Sequence, residues 1–237
     1  MTASTVACRP RTWFDFAPMR RELDSISIPG LDALRTRRQW LAFALLAVSA
    51  TVVAQLCDQF AWQHMRDLRI YDKDLGRLLR LIGYLPTWLI VAGALWLQDR
   101  SGAQATPGWG WRGGLVILAP TAGGAVAELS KMLVRRLRPS EDVFAYAWRP
   151  YTEDPISTRG LGMPSSHTMV AFAAAAAMAR LFPRASWIWY LLATGCALSR
   201  VLAVGHFLSD TVAAAFLGYA VGVLLTRAMP KAVGAPT

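Results

Sequence analysis

The feature that most constrains this chain is WLAFALLAVSATVVAQLC, a run without any charged residue at positions 40–57. A helix of about 20 predominantly apolar residues is long enough to span the hydrocarbon core of a bilayer. Only 17% of the residues are charged, whereas soluble domains contain about 25%. The chain is therefore expected to be a membrane protein rather than a soluble domain.

Further apolar runs follow the first one along the chain. They cover residues 81–97, 113–134, 166–182, 186–198 and 207–226. Together with the first run they predict an all-α fold, a bundle of six transmembrane helices. The alanine run 173–177, together with Gly218 and Gly222, predicts close approach of neighbouring helices, because small residues let their backbones come together.

Six spans would place both ends of the chain on the same side of the membrane. Residues 1–39 contain seven arginines, which favours the cytoplasmic side. We expect a cytoplasmic segment 1–39, a membrane domain 40–228 and a cytoplasmic tail 229–237. The long connections 58–80 and 135–165 would then face outward. The sequence thus predicts a multi-pass protein of a cell membrane, in a bacterium the cytoplasmic membrane, with its functional site at the outer membrane–water interface.

The net charge of +10 has two interpretations. It could indicate nucleic-acid binding, but no basic and aromatic surface domain accompanies it. Basic loops that face anionic headgroups or an anionic substrate agree better with the apolar composition. We therefore expect membrane lipids as partners and no nucleic acid. Cys8, Cys57 and Cys196 are too far apart to indicate a metal site or a disulfide framework.

The first polar cluster is KMLVRRLRP, residues 131–139. Lys131 and Arg138 are two helical turns apart, so they share a face if the helix continues to Pro139. Two cations on one face at a helix end could clamp a phosphate group. The alternative is that they anchor the helix at the headgroups, which is common for cations near the ends of spans.

The other charges around this cluster predict supporting roles. Arg135 and Arg136 are expected to anchor the helix at the headgroups. Glu128 lies one turn before Lys131, inside the apolar run, where a carboxylate indicates a function by default. We expect it to form an ion pair with Lys131 or Arg135 and so to orient the phosphate clamp.

The second cluster is GMPSSH, residues 162–167. Ser165 or Ser166 can cap the helix that follows, and His167 lies in its first turn. A helix N-terminus attracts phosphate because its first N–H groups have no partners, and a histidine there could act as a general acid. The alternative is ordinary capping, with the histidine hydrogen-bonded at the interface.

The third cluster is SRVLAVGHFLSD, residues 199–210. Arg200 ends the fifth run, and Gly205 permits a sharp turn. His206 and Asp210 are four residues apart and share a face on a helix, so the carboxylate can hold one ring nitrogen. The other nitrogen is then free to act as a base, a metal ligand or a nucleophile. The alternative is a buried His–Asp pair that only stabilises the fold.

The three clusters together resemble the signature of a known family. K-x6-R-P, P-S-S-H and S-R-x5-H-x3-D, in this order, are similar to the three motifs of the type-2 phosphatidic acid phosphatase superfamily. That superfamily includes membrane lipid phosphatases, soluble acid phosphatases and haloperoxidases. The resemblance covers about residues 113–226 and includes the six-span layout. It implies a membrane enzyme that removes phosphate from a lipid without a metal ion or another cofactor.

The resemblance also implies how a phosphate would be bound. Three cations, Lys131, Arg138 and Arg200, would hold the phosphoryl oxygens. The backbone N–H groups of Ser165 and Ser166 would complete the cradle. The sequence contains no acidic cluster to hold Mg²⁺, so charge neutralisation by these cations is consistent with metal-free phosphoryl transfer.

The resemblance assigns the covalent chemistry to two histidines. His206 would attack phosphorus and form a phosphohistidine, with Asp210 orienting its ring. His167 would protonate the leaving group and afterwards activate water.

One position departs from the family pattern, which usually has glycine where this chain has Ser166. The backbone donor survives this change, although the side chain crowds the cradle. Some dolichyl-diphosphate phosphatases of the superfamily are similar in having serine there. Ser166 and the additional cations favour a polyprenyl diphosphate as substrate; these cations are Arg135, Arg136, Arg149 and Arg159.

Other substrates and functions stay open. Phosphatidic acid, phosphatidylglycerol phosphate and lipid A are the other candidate substrates. The same site could instead serve a lipid phosphotransferase, in which a lipid hydroxyl replaces water. A transporter or structural membrane protein with internal ion pairs is the alternative outside enzymes.

Overall fold

The computed structural model describes residue 34 and residues 36–101 and 110–228. These residues form seven α-helices and two short 3₁₀ turns. The helices are α1 (Arg37–His64), α2 (Asp74–Ile82), α3 (Leu85–Ser101), α4 (Trp111–Val134), α5 (Ser166–Leu181), α6 (Ser186–Leu202) and α7 (Leu208–Ala228). The predicted all-α class is therefore confirmed. The tail 229–237 and most of the segment 1–39 lie outside the described residues.

Helix α5 forms the centre of the bundle and packs against α4, α6 and α7. Its alanine run 173–177 is completely buried. A Cβ atom added at Gly218 of α7 would lie 2.5 Å from the carbonyl oxygen of Met169, and one at Gly222 would lie 2.6 Å from Cβ of Ala176. The close approach predicted from these small residues is confirmed, since larger side chains would not fit between α5 and α7.

Three helical segments are long and apolar enough to cross a bilayer: α1, residues Arg112–Val134 of α4, and α7. Helices α2 and α3 pass the same criteria only as a pair, with a bend of 70° between them. The bend interrupts the predicted span 81–97, because α2 ends at Ile82 and α3 begins with Pro86 in its first turn.

Helices α5 and α6 are too short to qualify as candidate spans by length. They contain 16 and 17 residues, which corresponds to a length of about 25 Å at a rise of 1.5 Å per residue. The hydrocarbon core of a bilayer is about 30 Å thick. By length and composition the described residues thus provide three or four candidate spans, where the sequence predicts six.

The outer helices carry large apolar side chains on their surfaces. Leu45 and Leu56 of α1 are 69% and 80% exposed, and Ile90 of α3 is 75% exposed. Soluble monomers rarely expose continuous apolar surfaces of this kind. These faces are suited to contact with lipid chains.

Helix α4 ends earlier than the sequence predicts. Arg135 follows its last residue in the left-handed conformation, with φ of 56°, and its N–H donates to the carbonyl of Lys131. This is a common way to end a helix, although glycine usually occupies such a position. The prediction that Lys131 and Arg138 share a helical face is therefore wrong, because Arg138 lies in the connection beyond the helix.

Arg135 and Arg136 fold the connection between α4 and α5 onto the end of the bundle. They are only 1% and 2% exposed. Arg136 donates to the carboxylate of Asp210 and to Oγ of Ser209. The guanidinium of Arg135 donates to the carbonyl oxygens of Arg149, Pro150, Glu153 and Pro155. The interpretation of both arginines as headgroup anchors is wrong, because buried charges need partners within the protein and these have them.

Candidate active site

The three sequence clusters meet at one end of the bundle. Lys131 lies in the last turn of α4, His167 in the first turn of α5 and Arg200 in the last turn of α6. His206 lies in the connection just before α7. The charges of Arg138 and Arg200 act on both histidine rings. Because consecutive helices of the bundle run in opposite directions, residues far apart in sequence reach the same end.

Glu128, Lys131 and Ser166 form a closed group. Nζ of Lys131 donates to Oε1 of Glu128 over 2.8 Å and contacts Oγ of Ser166. Oγ of Ser166 in turn donates to Oε1 of Glu128 over 2.6 Å. The predicted ion pair between Glu128 and Lys131 is confirmed. The serine that departs from the family pattern directs its hydroxyl at this pair, and its side chain links α4 to α5.

The start of α5 differs from the prediction in two respects. The side chain of Ser165 does not cap the helix; its Oγ accepts from Oγ1 of Thr168 over 3.1 Å. The N–H of Ser165 donates to the carbonyl of Asp210 over 3.3 Å and therefore has a partner within the protein. The N–H of Ser166, the first helical residue, has no acceptor within its own helix. Of the two predicted backbone donors, Ser166 is the better placed to bind an anion.

Arg200 is held next to the histidines by Tyr71. Its Nη1 donates to the hydroxyl of Tyr71 over 2.8 Å, and its Nε is buried without a hydrogen-bond partner among the described residues. A Cβ atom added at Gly205 would lie 2.8 Å from Nη2 of Arg200. The predicted turn is made by Val204, which has φ of 52°, while Gly205 provides space for the guanidinium. The unpaired Nε leaves Arg200 with a donor for an anionic ligand.

The ring of His206 is oriented by a backbone carbonyl. Nδ1 lies 2.9 Å from the carbonyl oxygen of Gly162 and 3.7 Å from Oδ2 of Asp210. Because a carbonyl only accepts, Nδ1 carries the proton and Nε2 has a free lone pair. Asp210 lies within ion-pair distance of the same ring nitrogen but beyond a normal hydrogen bond, so its role in orienting the ring stays a prediction beside the closer contact of the Gly162 carbonyl. Nothing in the sequence distinguished the Gly162 carbonyl, because every residue has one.

Asp210 also builds the turn that carries His206. Its Oδ2 accepts from the N–H of Phe207 over 2.9 Å, and its Oδ1 pairs with the guanidinium of Arg136. The expectation that His206 and Asp210 lie on one helix is wrong, because α7 begins at Leu208. The carboxylate thus holds the backbone next to the histidine as well as lying 3.7 Å from its ring nitrogen.

A buried carboxylate of α1 supports the same turn. Asp58 is 1% exposed and accepts from the N–H and the Oγ of Ser209 over 2.8 and 2.6 Å. The hydroxyl of Tyr146 also donates to Asp58, over 2.9 Å. The sequence analysis does not identify Asp58, because the first apolar run ends one residue before it, at Cys57. A carboxylate directly after such a run was the signal that could have identified it.

The cationic side chains at this end of the bundle give the candidate site a positive charge. Lys131, Arg200 and His206 are 4%, 6% and 2% exposed, whereas His167 is half-buried and Arg138 is exposed. Although the side chain reaches solvent, partial desolvation of its guanidinium and the neighbouring Arg200 guanidinium lower the pKa of Arg138. Mutually repelling guanidinium groups are stabilised when an anion binds between them. The arrangement is therefore suited to an anionic group that enters past Arg138 and His167.

The protonation state of His206 agrees with a free Nε2. Burial lowers the pKa of His206 to about 4; Asp210 opposes this effect, and Arg200 and Arg138 add to it. The ring is consequently neutral at pH 7, and its Nε2 lone pair is available for attack on an electrophile.

Two further expectations concern metals and the additional cations. Within the described part of the chain, no group of three or more His, Cys, Asp or Glu side chains could hold a metal ion. Arg149, like Arg135, donates to carbonyl oxygens of the connection, namely those of Ser157 and Arg159, whereas Arg136 is bound to Ser209 and Asp210. These three arginines are therefore structural, and of the residues that favoured a diphosphate in the sequence only Ser166 and Arg159 remain as support.

The fold and the site define an α-helical membrane protein with a cationic, histidine-containing site at one end of its bundle. Residues 112–233 match the family model of the PAP2 superfamily. This match covers more than half of the chain, and the chain belongs to that superfamily. The resemblance recognised from the three motifs is thereby confirmed.

A solved structure shares this fold. The crystal structure of the first transmembrane PAP2-type phosphatidylglycerolphosphate phosphatase from Bacillus subtilis matches with a TM-score of 0.54 and 17% sequence identity. The match covers 79% of this chain and 92% of that chain. No curated protein matches the sequence significantly.

Proposed function

We propose that the chain is an integral-membrane lipid phosphatase that hydrolyses a lipid phosphate or diphosphate through a phosphohistidine intermediate. The observation that carries the proposal is that Arg138 and Arg200 act on the ring of His206, whose Nε2 is unprotonated, while Lys131 is held at Ser166 beside His167. Phosphoryl transfer depends mainly on charge neutralisation and positioning, and three cations supply both. Membership in the PAP2 superfamily supports the same reaction class.

The proposed reaction has two steps. In the first, the Nε2 lone pair of His206 forms a bond to phosphorus while the bond from phosphorus to the leaving oxygen breaks. The electron pair stays on that oxygen, which takes a proton from His167. In the second, His167 accepts a proton from water, the water oxygen attacks phosphorus, and the P–N bond breaks. Inorganic phosphate is released, and both histidines return to their initial states.

The remaining groups position these two histidines and the phosphate. The Gly162 carbonyl and the turn held by Asp210 orient His206. Glu128 and Ser166 place the Lys131 ammonium beside the start of α5, where the Ser166 N–H is a further donor to the phosphoryl oxygens. Arg136 acts indirectly, through its ion pair with Asp210.

We further propose that the bundle crosses the membrane six times and that the site lies at the outer interface of a cell membrane. α5 and α6 would cross with their polar ends at headgroup level. The apolar surfaces of α1 and α3 support a membrane location. A lipid's phosphate lies at this depth, so a lipid could present its headgroup while its chain stays in the bilayer.

Phosphate release from defined lipids tests the proposed function. Purified protein in detergent is expected to release inorganic phosphate in the presence of EDTA from at least one of four lipids: a polyprenyl diphosphate, phosphatidic acid, phosphatidylglycerol phosphate or lipid A. Vanadate, which mimics the pentacoordinate phosphoryl group, is expected to inhibit. A strict metal requirement would contradict the mechanism, and no release from any of the four would contradict the function.

The same assay separates the alternatives. A phosphotransferase would form a phosphorylated lipid product in place of free phosphate when an acceptor lipid is present. A transporter or structural protein would leave every lipid phosphate intact, and substitution of His206 would change nothing.

A further inference from the structure

A cavity of about 510 Å³ opens beside the candidate active site, and no motif residue lines it. Its lining residues are Tyr71, Arg77, Arg80, Leu81 and Tyr84, from the connection after α1 and from α2. The cavity therefore combines two cations with aromatic and apolar surface. These residues lie outside the part of the chain that matches the family model.

Only one of the two cations is free to bind a ligand. The guanidinium of Arg77 donates to the carbonyl oxygens of Tyr71 and Asp72 over 2.7 and 3.1 Å. The guanidinium of Arg80 lies over the ring of Tyr71, 4.9 Å from its centroid. Within the described residues Arg80 has neither a hydrogen bond nor an ion pair, and it is exposed. Its N–H donors are thus directed at solvent in the cavity.

The cavity is connected to the proposed phosphate cradle through two contacts. The hydroxyl of Tyr71 accepts from Nη1 of Arg200, one of the phosphate-binding cations. Gly83 packs so closely on the first turn of α5 that an added Cβ atom would lie 2.6 Å from the carbonyl oxygen of His167. The charge of Arg80 also acts on the His167 ring. Arg80, which lies over the ring of Tyr71, is therefore on the side of the site formed by Arg200 and by the histidine proposed to protonate the leaving group.

The geometry points to a second anion subsite in this cavity, in which Arg80 binds the phosphate that remains on the leaving group of a lipid diphosphate. This inference rests on the proposed function. His206 attacks the terminal phosphorus, and the leaving oxygen belongs to a lipid monophosphate. A guanidinium beside His167 stabilises the charge of that second phosphate, and the exposed Leu81 and Tyr84 contact the first atoms of the lipid chain.

The subsite gives a structural reason to expect a diphosphate substrate, independent of the arginines that the sequence suggested for this role. Three of the four arginines that the sequence suggested for a polyanionic headgroup, Arg135, Arg136 and Arg149, are bound to carbonyl oxygens or to Asp210. Arg80 was not singled out from sequence, because it lies far from the three motifs and reaches the site only when α2 packs against α6.

Arg80→Gln tests the subsite with two lipids that have the same chain, a polyprenyl diphosphate and the corresponding monophosphate. kcat/KM is expected to fall roughly 10- to 100-fold for the diphosphate, because a charge-assisted contact with phosphate is lost. For the monophosphate we expect a change of less than about threefold. Arg80→Lys is expected to recover part of the activity on the diphosphate, because it restores the charge.

Arg69→Gln is the matched control. Arg69 is an exposed arginine of the same connection but does not line this cavity, so its loss should leave both substrates unaffected. Equal losses on both lipids in Arg80→Gln, or no loss, would overturn the subsite. If the wild-type protein acts on the monophosphate but not on the diphosphate, the subsite is also overturned, while the proposed function is supported. No wild-type activity on either lipid would overturn the subsite, whereas the proposed function is contradicted only if the other lipids of the panel release no phosphate either.

Discussion

Replacing His206 with glutamine is expected to lower kcat for phosphate release by roughly 10⁴-fold or more, the size of effect seen when a covalent nucleophile is removed. Glutamine has no nucleophilic nitrogen, so the covalent step cannot occur. Its side-chain amide can still donate to the Gly162 carbonyl, so the turn before α7 keeps a partner there. The measurement is phosphate release from the best substrate of the lipid panel, with the melting temperature in detergent as a check on folding.

The chain offers a matched control for this substitution. Of the three histidines in the sequence, His64 is the one outside the site. It lies at the end of α1 and is exposed. Its ring stacks on Phe60 and contacts no site residue among those described. His64→Gln is expected to keep wild-type activity. A His206→Gln variant that folds and retains activity would exclude the proposed mechanism.

Asp210→Asn is expected to destabilise the protein by about 3–5 kcal/mol, because it leaves the buried guanidinium of Arg136 without a counter-charge. Both side chains are at most 2% exposed, so water cannot replace the lost partner. The turn that carries His206 should loosen as well, and kcat should fall more than KM rises. The measurements are thermal unfolding in detergent and steady-state phosphate release.

A double-mutant cycle separates the ion pair from other effects of these substitutions. Arg136→Gln combined with Asp210→Asn removes both charges and is expected to be more stable than the sum of the two single losses predicts. Activity should remain low in the double variant, since the turn is no longer held by the charged pair. Additive losses of stability would show that the pair does not couple, contrary to the structure.

The general architecture and the residue types of the site were predictable from sequence. Apolar runs determine where helices form, and small residues such as Gly218 determine where two helices approach. Lys131, His167, Arg200 and His206 could be selected because cations and histidines are conspicuous at the ends of apolar runs. Their convergence follows from helices that alternate in direction.

The contacts that orient these residues could not be predicted. The Gly162 carbonyl carries no sequence signal, and the ion pair of Arg136 with Asp210 joins residues 74 positions apart, with two helices between them. The position of Arg138 depends on where α4 ends, which Arg135 determines by adopting a conformation that is unusual for a non-glycine residue. Such features depend on tertiary packing, which periodicity and spacing do not encode.

The most direct test of the central claim is detection of the covalent intermediate. The protein is mixed with a lipid diphosphate carrying ³²P in its terminal phosphate, quenched rapidly in alkaline denaturant and digested. We predict protein-bound label that is stable to alkali and labile to acid, as a phosphoramidate is, on the peptide that contains His206. The label should be absent in His206→Gln and present in His64→Gln. Acid-stable label, label that persists in His206→Gln, or turnover without any bound label would contradict the account.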